Sequence, residues 1–354
     1  MRSFQRADTV DPVPAAIVRL LRRIDLGAGS EGRYLDQLPD LLSGFTQSAR
    51  VESVTASSAI EGIVVDSSRR EALLGPGARR FRNRSEAEFA GYRLALDYVL
   101  QNDPEPLSVG LVLHLHRLLG SHTDAGGGSF KLDDNVVVER DVDGRRHVRF
   151  TPVPAHETLH YVAELVDRTN DALDRETTHP LLTVSAFVLD LLCIHPFADR
   201  NGRVARLLTT NLLDRAGYRA VRYISLEQLL FERKVDYYES LAASTEGWFD
   251  DGRHSIWPWT TLLLECLADA YDRFEQRVTA SSATTKQGRV RGFVLLHGPA
   301  TFRMADIRRA VPGVSDQTIH LVLRQLKAAG QVDNDGTGRS AAWTRSTTDG
   351  VQPR

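Results

Sequence analysis

Along residues 12–48, apolar side chains recur at helical spacing: Ile17, Leu20, Leu21 and Ile24, then Leu35, Leu38, Leu41 and Leu42. A glycine-rich interruption at 27–32 separates the two sets, so the pattern predicts an N-terminal helical hairpin that turns at the glycines. Residues 85–120 read as two more helices, split by the breaker Asn102-Asp-Pro-Glu-Pro106, with Ser108 as N-cap of the second. The period then changes. After Gly126-Gly-Gly128, the run Asn135-Val-Val-Val138, the Asp143-Gly144 turn and His147-Val-Arg-Phe150 predict a short β-hairpin flap.

Helical patterning returns at 156–174 and at 180–194. The second of these is nearly all apolar from Leu181 to Leu192 and predicts a buried central helix. It runs directly into His195. Another buried helical pattern, Val204 to Leu213, ends near Gly217, and further helices are predicted over 225–243 and 256–278. The polar, small-residue stretch 279–285 reads as a linker. Beyond it, helix patterns at Val290–Leu296, Met304–Ala310 and Asp316–Ala329, followed by a strand-turn-strand ending near Trp343, predict a winged helix-turn-helix over 286–345, with a disordered tail at 346–354.

A chain of 354 residues exceeds what one core usually supports, so two domains are expected. The formal net charge of −2 gives no bulk attraction to nucleic acid or anionic membrane. Cys193 and Cys266 are the only cysteines, which excludes a disulfide framework and a four-thiolate zinc site. Cys193 lies in an apolar helix and reads as packing, not as a nucleophile. His114 and His116 cannot share one helix face, which argues against a metal site there. The N-terminus lacks the apolar core of a signal peptide and no run of eighteen apolar residues occurs, so a cytoplasmic protein without a membrane span is expected.

Chemistry concentrates in His195-Pro-Phe-Ala-Asp199-Arg-Asn201-Gly202-Arg203-Val-Ala-Arg206. His195 offers a base near neutral pH. Asp199 is a hard oxygen ligand suited to Mg²⁺. Asn201-Gly202, opening a helix, presents backbone N–H groups to an anion, and Arg203 and Arg206 add guanidinium forks for phosphate oxygens. Phe197, apolar in a polar loop, is expected to plug the loop into the core. A polyphosphate site is thus assembled within twelve residues.

This segment resembles the Fic family signature, His-x-Phe-x-(Asp/Glu)-Gly-Asn-Gly-Arg-x-x-Arg, and departs from it only at Arg200, where the family has Gly. The resemblance implies a mainly α fold, a Fic-type helical bundle with a β-hairpin flap, and ATP with Mg²⁺ as cofactors. It implies His195 as base for a target hydroxyl, Asp199 on the metal, Asn201, Gly202 and Arg203 on the phosphates, and Arg206 on the γ-phosphate. An Arg at the Gly position requires a strained or altered turn, and its charge could either impair the site or add a cation beside the triphosphate.

Upstream, Ser57-Ser-Ala-Ile-Glu61-Gly62 resembles the inhibitory-helix pattern of the family, (Ser/Thr)-x-x-x-Glu-(Gly/Asn). It implies an N-terminal region over 1–84 whose Ser57, Glu61 and Gly62 regulate a catalytic core at 85–278, with Glu61 pairing to Arg206. Gly128-Ser-Phe-Lys131 is similar to the family's Gly-x-Phe-Arg at the start of the flap, with Val136 and Val137 as residues that would hold the target segment by strand addition. Asp236-Tyr237-Tyr238-Glu-Ser-Leu241 resembles a family segment near the adenine, which implies Tyr237 in that pocket, although Thr245 stands where Asn is common.

The sequence therefore predicts an autoinhibited protein adenylyltransferase, acting on a Ser, Thr or Tyr hydroxyl of a target protein. The alternative is a nucleotide-sensing DNA-binding regulator, in which Gln317, Thr318, His320 and Arg324 face a major groove and Arg339 lies on the wing. DNA is accordingly a candidate partner of 286–345, and a homodimer is compatible with the sequence.

Overall fold

The computed structural model describes residues 1–5, 12–35, 39–75, 80–101, 103–140, 146–176, 178–249, 253–297, 299, 301–335 and 342–346. From the N-terminus the helices are α1 (Arg2–Gln5), α2 (Ala15–Leu35), α3 (Pro39–Ile60), α4 (Ser67–Leu74), α5 (Arg84–Gln101) and α6 (Val109–Gly120). A hairpin of β1 (Val137–Arg140) and β2 (Arg146–Phe150) follows, then α7 (Thr158–Arg175), α8 (Pro180–Ile194), α9 (Asn201–Arg215), α10 (Leu226–Glu232), α11 (Lys234–Thr245) and α12 (Trp257–Thr284). The last elements are α13 (Lys286–Gly292), a π-helical turn at Phe293–His297, β3 (Thr301–Arg303), α14 (Met304–Ala310), α15 (Asp316–Ala328), β4 (Val332–Asp335) and β5 (Ala342–Arg345). The protein is mainly helical, as expected.

The chain divides into two compact units, 1–32 with 42–272, and 33–41 with 273–354. In the first, α8 is the central rod. Pro180 supplies the pre-set φ of a first helical turn, and the side chains of Val184, Phe187 and Leu189 are wholly buried. α7 and α9 pack on it, and α5 and α6 pack on each other and on α9. Ser108 caps α6 by accepting from the Leu111 N–H at 3.0 Å.

The N-terminal helices depart from the expected hairpin. α2 runs unbroken through 27–32, because Gly27 is a contact residue and not a turn: a Cβ there would lie 2.8 Å from the Tyr271 ring. Glu31, in the same stretch, is buried and accepts from the Tyr271 hydroxyl at 3.1 Å. Residues 279–284, read as a linker, continue α12, since Ala, Ser and Thr carry no helix-breaking property strong enough to override the preceding turns. The helix predicted over 225–243 is two helices that meet at Arg233.

The flap pairs Val137 with Phe150 and Val138 with Val148, with an irregularity between Val137 and Val138. Its Asp143-Gly144 turn lies outside the described residues. In the second unit, Val290, Val294, Phe302, Ile307, Ile319, Val322, Leu323, Leu326 and Val332 form one core, and the strands order β3-β5-β4, all antiparallel. Ser315 caps α15 by accepting from the Thr318 N–H. Arg339 and residues 347–354 lie outside the described residues. Among the described residues, no helix is long and apolar enough to cross a membrane.

Candidate active site

The twelve-residue segment forms the loop from α8 to α9 and the first turns of α9, and two left-handed residues bracket the loop. His195 (φ 49°) ends α8, its N–H donating to the Leu191 carbonyl at 2.9 Å, and Arg200 (φ 67°) precedes α9. Between them Phe197 is wholly buried, stacked on the His116 ring at 3.8 Å between centroids. The Asn201 amide closes the loop, accepting from the Phe197 N–H at 2.9 Å and donating to its carbonyl at 2.8 Å. Both ends of this side chain are engaged within the loop, which fixes its orientation. The first-turn N–H groups of α9, including that of Gly202, have no partner inside the helix.

His195 Nδ1 lies 3.3 Å from the Leu192 carbonyl, which can only accept, so the proton resides on Nδ1 and the lone pair on Nε2. Burial pushes the imidazole down to about 4, which leaves it neutral near pH 7. Burial also lowers Lys131 to about 8; its Nζ donates to Asn135 at 2.8 Å and to the Ile194 carbonyl at 3.3 Å. Cys193 is buried and its thiol is pushed well above its ordinary value by desolvation, consistent with packing.

Arg206 is 4% exposed and is held from the opposite side by α3. Its Nε donates to the Ser57 hydroxyl at 3.0 Å, and its Nη2 donates to the Ser57 carbonyl at 3.3 Å and to Glu61 Oε1 at 2.8 Å. Burial opposes the guanidinium charge, but the Glu61 carboxylate together with Tyr237 and Tyr92 holds the group above its ordinary value. Nη1 is buried without a hydrogen-bond partner. Gly202 makes room for this pair, since a Cβ there would lie 2.8 Å from Glu61 Oε1 and 3.2 Å from Arg206 Nη1.

Glu61 is placed by the way α3 stops. The Ile63 N–H donates to the Ser58 carbonyl at 2.9 Å and the Gly62 N–H to the Ala59 carbonyl at 3.1 Å, with Gly62 at φ 74°. This is a Schellman ending in which glycine takes the left-handed position and the preceding residue becomes the C-cap. The Glu-Gly pair thus has a local physical meaning. α11 covers the last carbonyls: Tyr238 Oη donates to Ile60 at 3.1 Å and Lys234 Nζ to Ala59 at 3.2 Å. Neither contact was foreseen, although both donors lie one helical turn apart beside Tyr237.

One cleft of about 220 Å³ collects Glu61, Val137, Phe150, His195, Gly202, Arg206, Tyr237 and Thr245. Tyr237 is buried edge-on to Trp259, 5.9 Å between centroids. Val136, by contrast, precedes β1, is exposed and does not line the cleft. Arg203 is buried and donates to Glu88 at 3.0 Å. Asp199, half-exposed, accepts from Arg84 Nη2 at 3.1 Å. Among the described residues no group of three or more His, Cys, Asp or Glu could hold a metal, so an ion at Asp199 would need ligand oxygens from elsewhere.

Arg200 answers the question its position raised. It adopts the left-handed turn, is 5% exposed, and its guanidinium points back to donate to the Gly126 carbonyl at 3.0 Å and to Thr123 Oγ1 at 2.9 Å. It therefore adds no cation beside Gly202. His116, beneath it, is lowered to about 4 by burial and then by the Arg200 charge, and accepts from the Gly128 N–H at 3.0 Å.

The helix-loop-helix carries His195, Arg203 and Arg206, with Glu61 seated on Arg206. Residues 106–213 match the Fic/DOC family. It is similar to a protein adenylyltransferase Fic of Drosophila willistoni, 30% identical over 193 residues, covering 53% of this chain and 33% of that protein. It is also similar to the protein adenylyltransferase fic-1 of Caenorhabditis elegans, at 27% over 198 residues, covering 53% and 35%. The match thus spans about a third of these relatives' length. In fold it resembles a Fic family protein from Desulfovibrio desulfuricans G20, with a TM-score of 0.60 at 22% identity, covering 97% of this chain and 99% of that one. Fic-1 of C. elegans has a similar fold, with a TM-score of 0.61 at 20% identity over 75% and 74% of the two chains.

Proposed function

We propose that this chain is an adenylyltransferase, held in a self-inhibited state, that transfers AMP from ATP to a Ser, Thr or Tyr hydroxyl of a protein. The observation that carries the reading is the Glu61–Arg206 pair seated over Gly202. A carboxylate occupies the guanidinium and the side-chain-free patch that a terminal phosphate would take. The cleft's volume of about 220 Å³ is below the roughly 300–1,000 Å³ of ordinary ligand sites, as expected with the inhibitor in place.

With Glu61 withdrawn, His195 Nε2 accepts the proton of the target hydroxyl. The hydroxyl oxygen then bonds to the α-phosphorus, the bond from that phosphorus to its bridging oxygen breaks, and pyrophosphate leaves. The N-terminus of α9, Arg203 and Arg206 offset the phosphate charge. Asp199 would hold Mg²⁺ together with substrate oxygens, and the ion supplies further charge neutralisation. Tyr237 and Leu241 would flank the adenine, and Val137 on the edge of β1 would pair with the target backbone. Labelling with ATP and Mg²⁺ tests this: Glu61→Gly should incorporate AMP and Glu61→Gly/His195→Ala should not; no labelling by either rejects the proposal.

We further infer that 286–345 is a winged helix able to meet DNA. Gln317, His320 and Arg324 are exposed on one face of α15, and residues 286–354 contain no Glu. A salt-dependent gel shift of the full chain that Arg324→Ala weakens supports this; no shift at low salt rejects it. Two free, buried thiols fit a reducing compartment such as the cytoplasm.

A further inference from the structure

The segment that leads from α6 to the flap is fastened along the whole α8–α9 loop. At its far end, the Lys131 N–H donates to the Pro196 carbonyl at 3.0 Å, Lys131 Nζ reaches the Ile194 carbonyl, and Asn135 Nδ2 donates to the Phe197 carbonyl at 3.0 Å. In the middle, His116 stacks on Phe197 and accepts from Gly128. At its near end the polar attachment is Arg200, through Thr123 and Gly126. Close backbone contact shapes the same region: a Cβ on Gly120 would lie 1.9 Å from the Gly126 oxygen, and one on Gly127 would lie 2.3 Å from the His116 oxygen.

We propose that Arg200 is a positioning residue: it joins the phosphate loop to the root of the flap, so that His195 and the strand that would hold the target move as one body. The inference rests on the transferase reading above, because it assigns the flap to target binding. Its physical basis is the direction of the side chain. The backbone of Arg200 belongs to the loop that opens α9, whereas its guanidinium hydrogen-bonds Thr123 and Gly126 and makes no hydrogen bond to Glu61, Gly202 or Arg206. A family glycine at this position would give the same turn without the tie, so this chain has added a strut at the cost of left-handed backbone strain.

That separation makes Arg200→Gly a clean probe. Glycine takes φ 67° freely, so the loop geometry survives while the strut is lost. In the Glu61→Gly background, transfer of AMP to protein needs the flap, whereas hydrolysis of ATP to AMP and pyrophosphate uses water and does not. Adding Arg200→Gly should lower the ratio of protein labelling to hydrolysis about tenfold, with ATP affinity changed by less than about twofold. Thr123→Val should lower the ratio less and add little on top of Arg200→Gly, because both remove the same contact.

A parallel loss of ATP affinity and hydrolysis would overturn the proposal, since Arg200 would then act on the phosphate site. An unchanged ratio would overturn it equally. Hydrogen exchange gives a readout independent of activity: Arg200→Gly should raise exchange across 121–136 while α8 and α9 stay protected. Unchanged exchange refutes the strut. If the Glu61→Gly parent neither labels nor hydrolyses, the transferase reading fails by itself, and exchange alone decides the mechanical part.

Discussion

Gly62 isolates the energetics of the proposed inhibition better than Glu61 does, because its substitution removes no contact. It sits at φ 74° and a Cβ added there meets nothing within 4 Å, so Gly62→Ala introduces backbone strain alone. Holding a non-glycine residue in the left-handed region costs about 1–2 kcal/mol. That strain is present only while α3 keeps its Schellman ending, the state that places Glu61 on Arg206, and it is relieved when the last turn loosens. The equilibrium should shift toward the released state by the same energy, about 5- to 30-fold. Calorimetric titration with ATP and Mg²⁺ should therefore find Gly62→Ala tighter than wild type by that factor and weaker than Glu61→Gly. Gly62→Asn should fall between Gly62→Ala and wild type, because Asn tolerates this conformation better. Wild-type affinity in Gly62→Ala, alongside a gain in Glu61→Gly, would refute the argument that the helix ending sets the position of the carboxylate.

Tyr238→Phe removes the donor to the Ile60 carbonyl, about 1 kcal/mol, and should raise ATP affinity by about fivefold at most in the same titration. Phe197→Ala deletes a wholly buried ring and should cost roughly 3–5 kcal/mol of stability, measured by urea unfolding. The pH dependence has a defined sign. His195 and His116 are both lowered to about 4 from an ordinary value near 6.5, so between about pH 6.5 and 4 the unfolded chain binds more protons than the folded one. Stability should fall as pH drops through that window and level off above it, and the rate of the Glu61→Gly enzyme should hold down to about pH 5. A rate inflection near 6.5 would contradict a base that is neutral across this range.

The helices with strong periodicity and the chemistry of the α8–α9 loop were legible in the sequence because each depends on neighbours in the chain. Ser108 and Ser315 announce helix starts by cap chemistry, and Phe197 announces a plug by being apolar among polar residues. What failed was decided by distant partners. Gly27 looks like a turn until Tyr271 is set against it, and 279–284 looks like a linker although small residues extend a helix already begun. The roles of Tyr238 and Lys234 were invisible because they serve carbonyls on α3, some 175 residues away in sequence. The direction of the Arg200 side chain depends on a loop 74 residues upstream, so only its strained backbone could be anticipated.

The central claim is that Glu61 holds Arg206 away from ATP in an otherwise competent site. Its most direct test is incorporation of labelled AMP from ATP and Mg²⁺ by wild type, Glu61→Gly and Glu61→Gly/His195→Ala, assayed side by side. Strong incorporation by Glu61→Gly, little by wild type and none by the double variant is the predicted result. Equal incorporation by wild type and Glu61→Gly would contradict the inhibitory pairing, and incorporation that survives loss of His195 would contradict the assignment of the base.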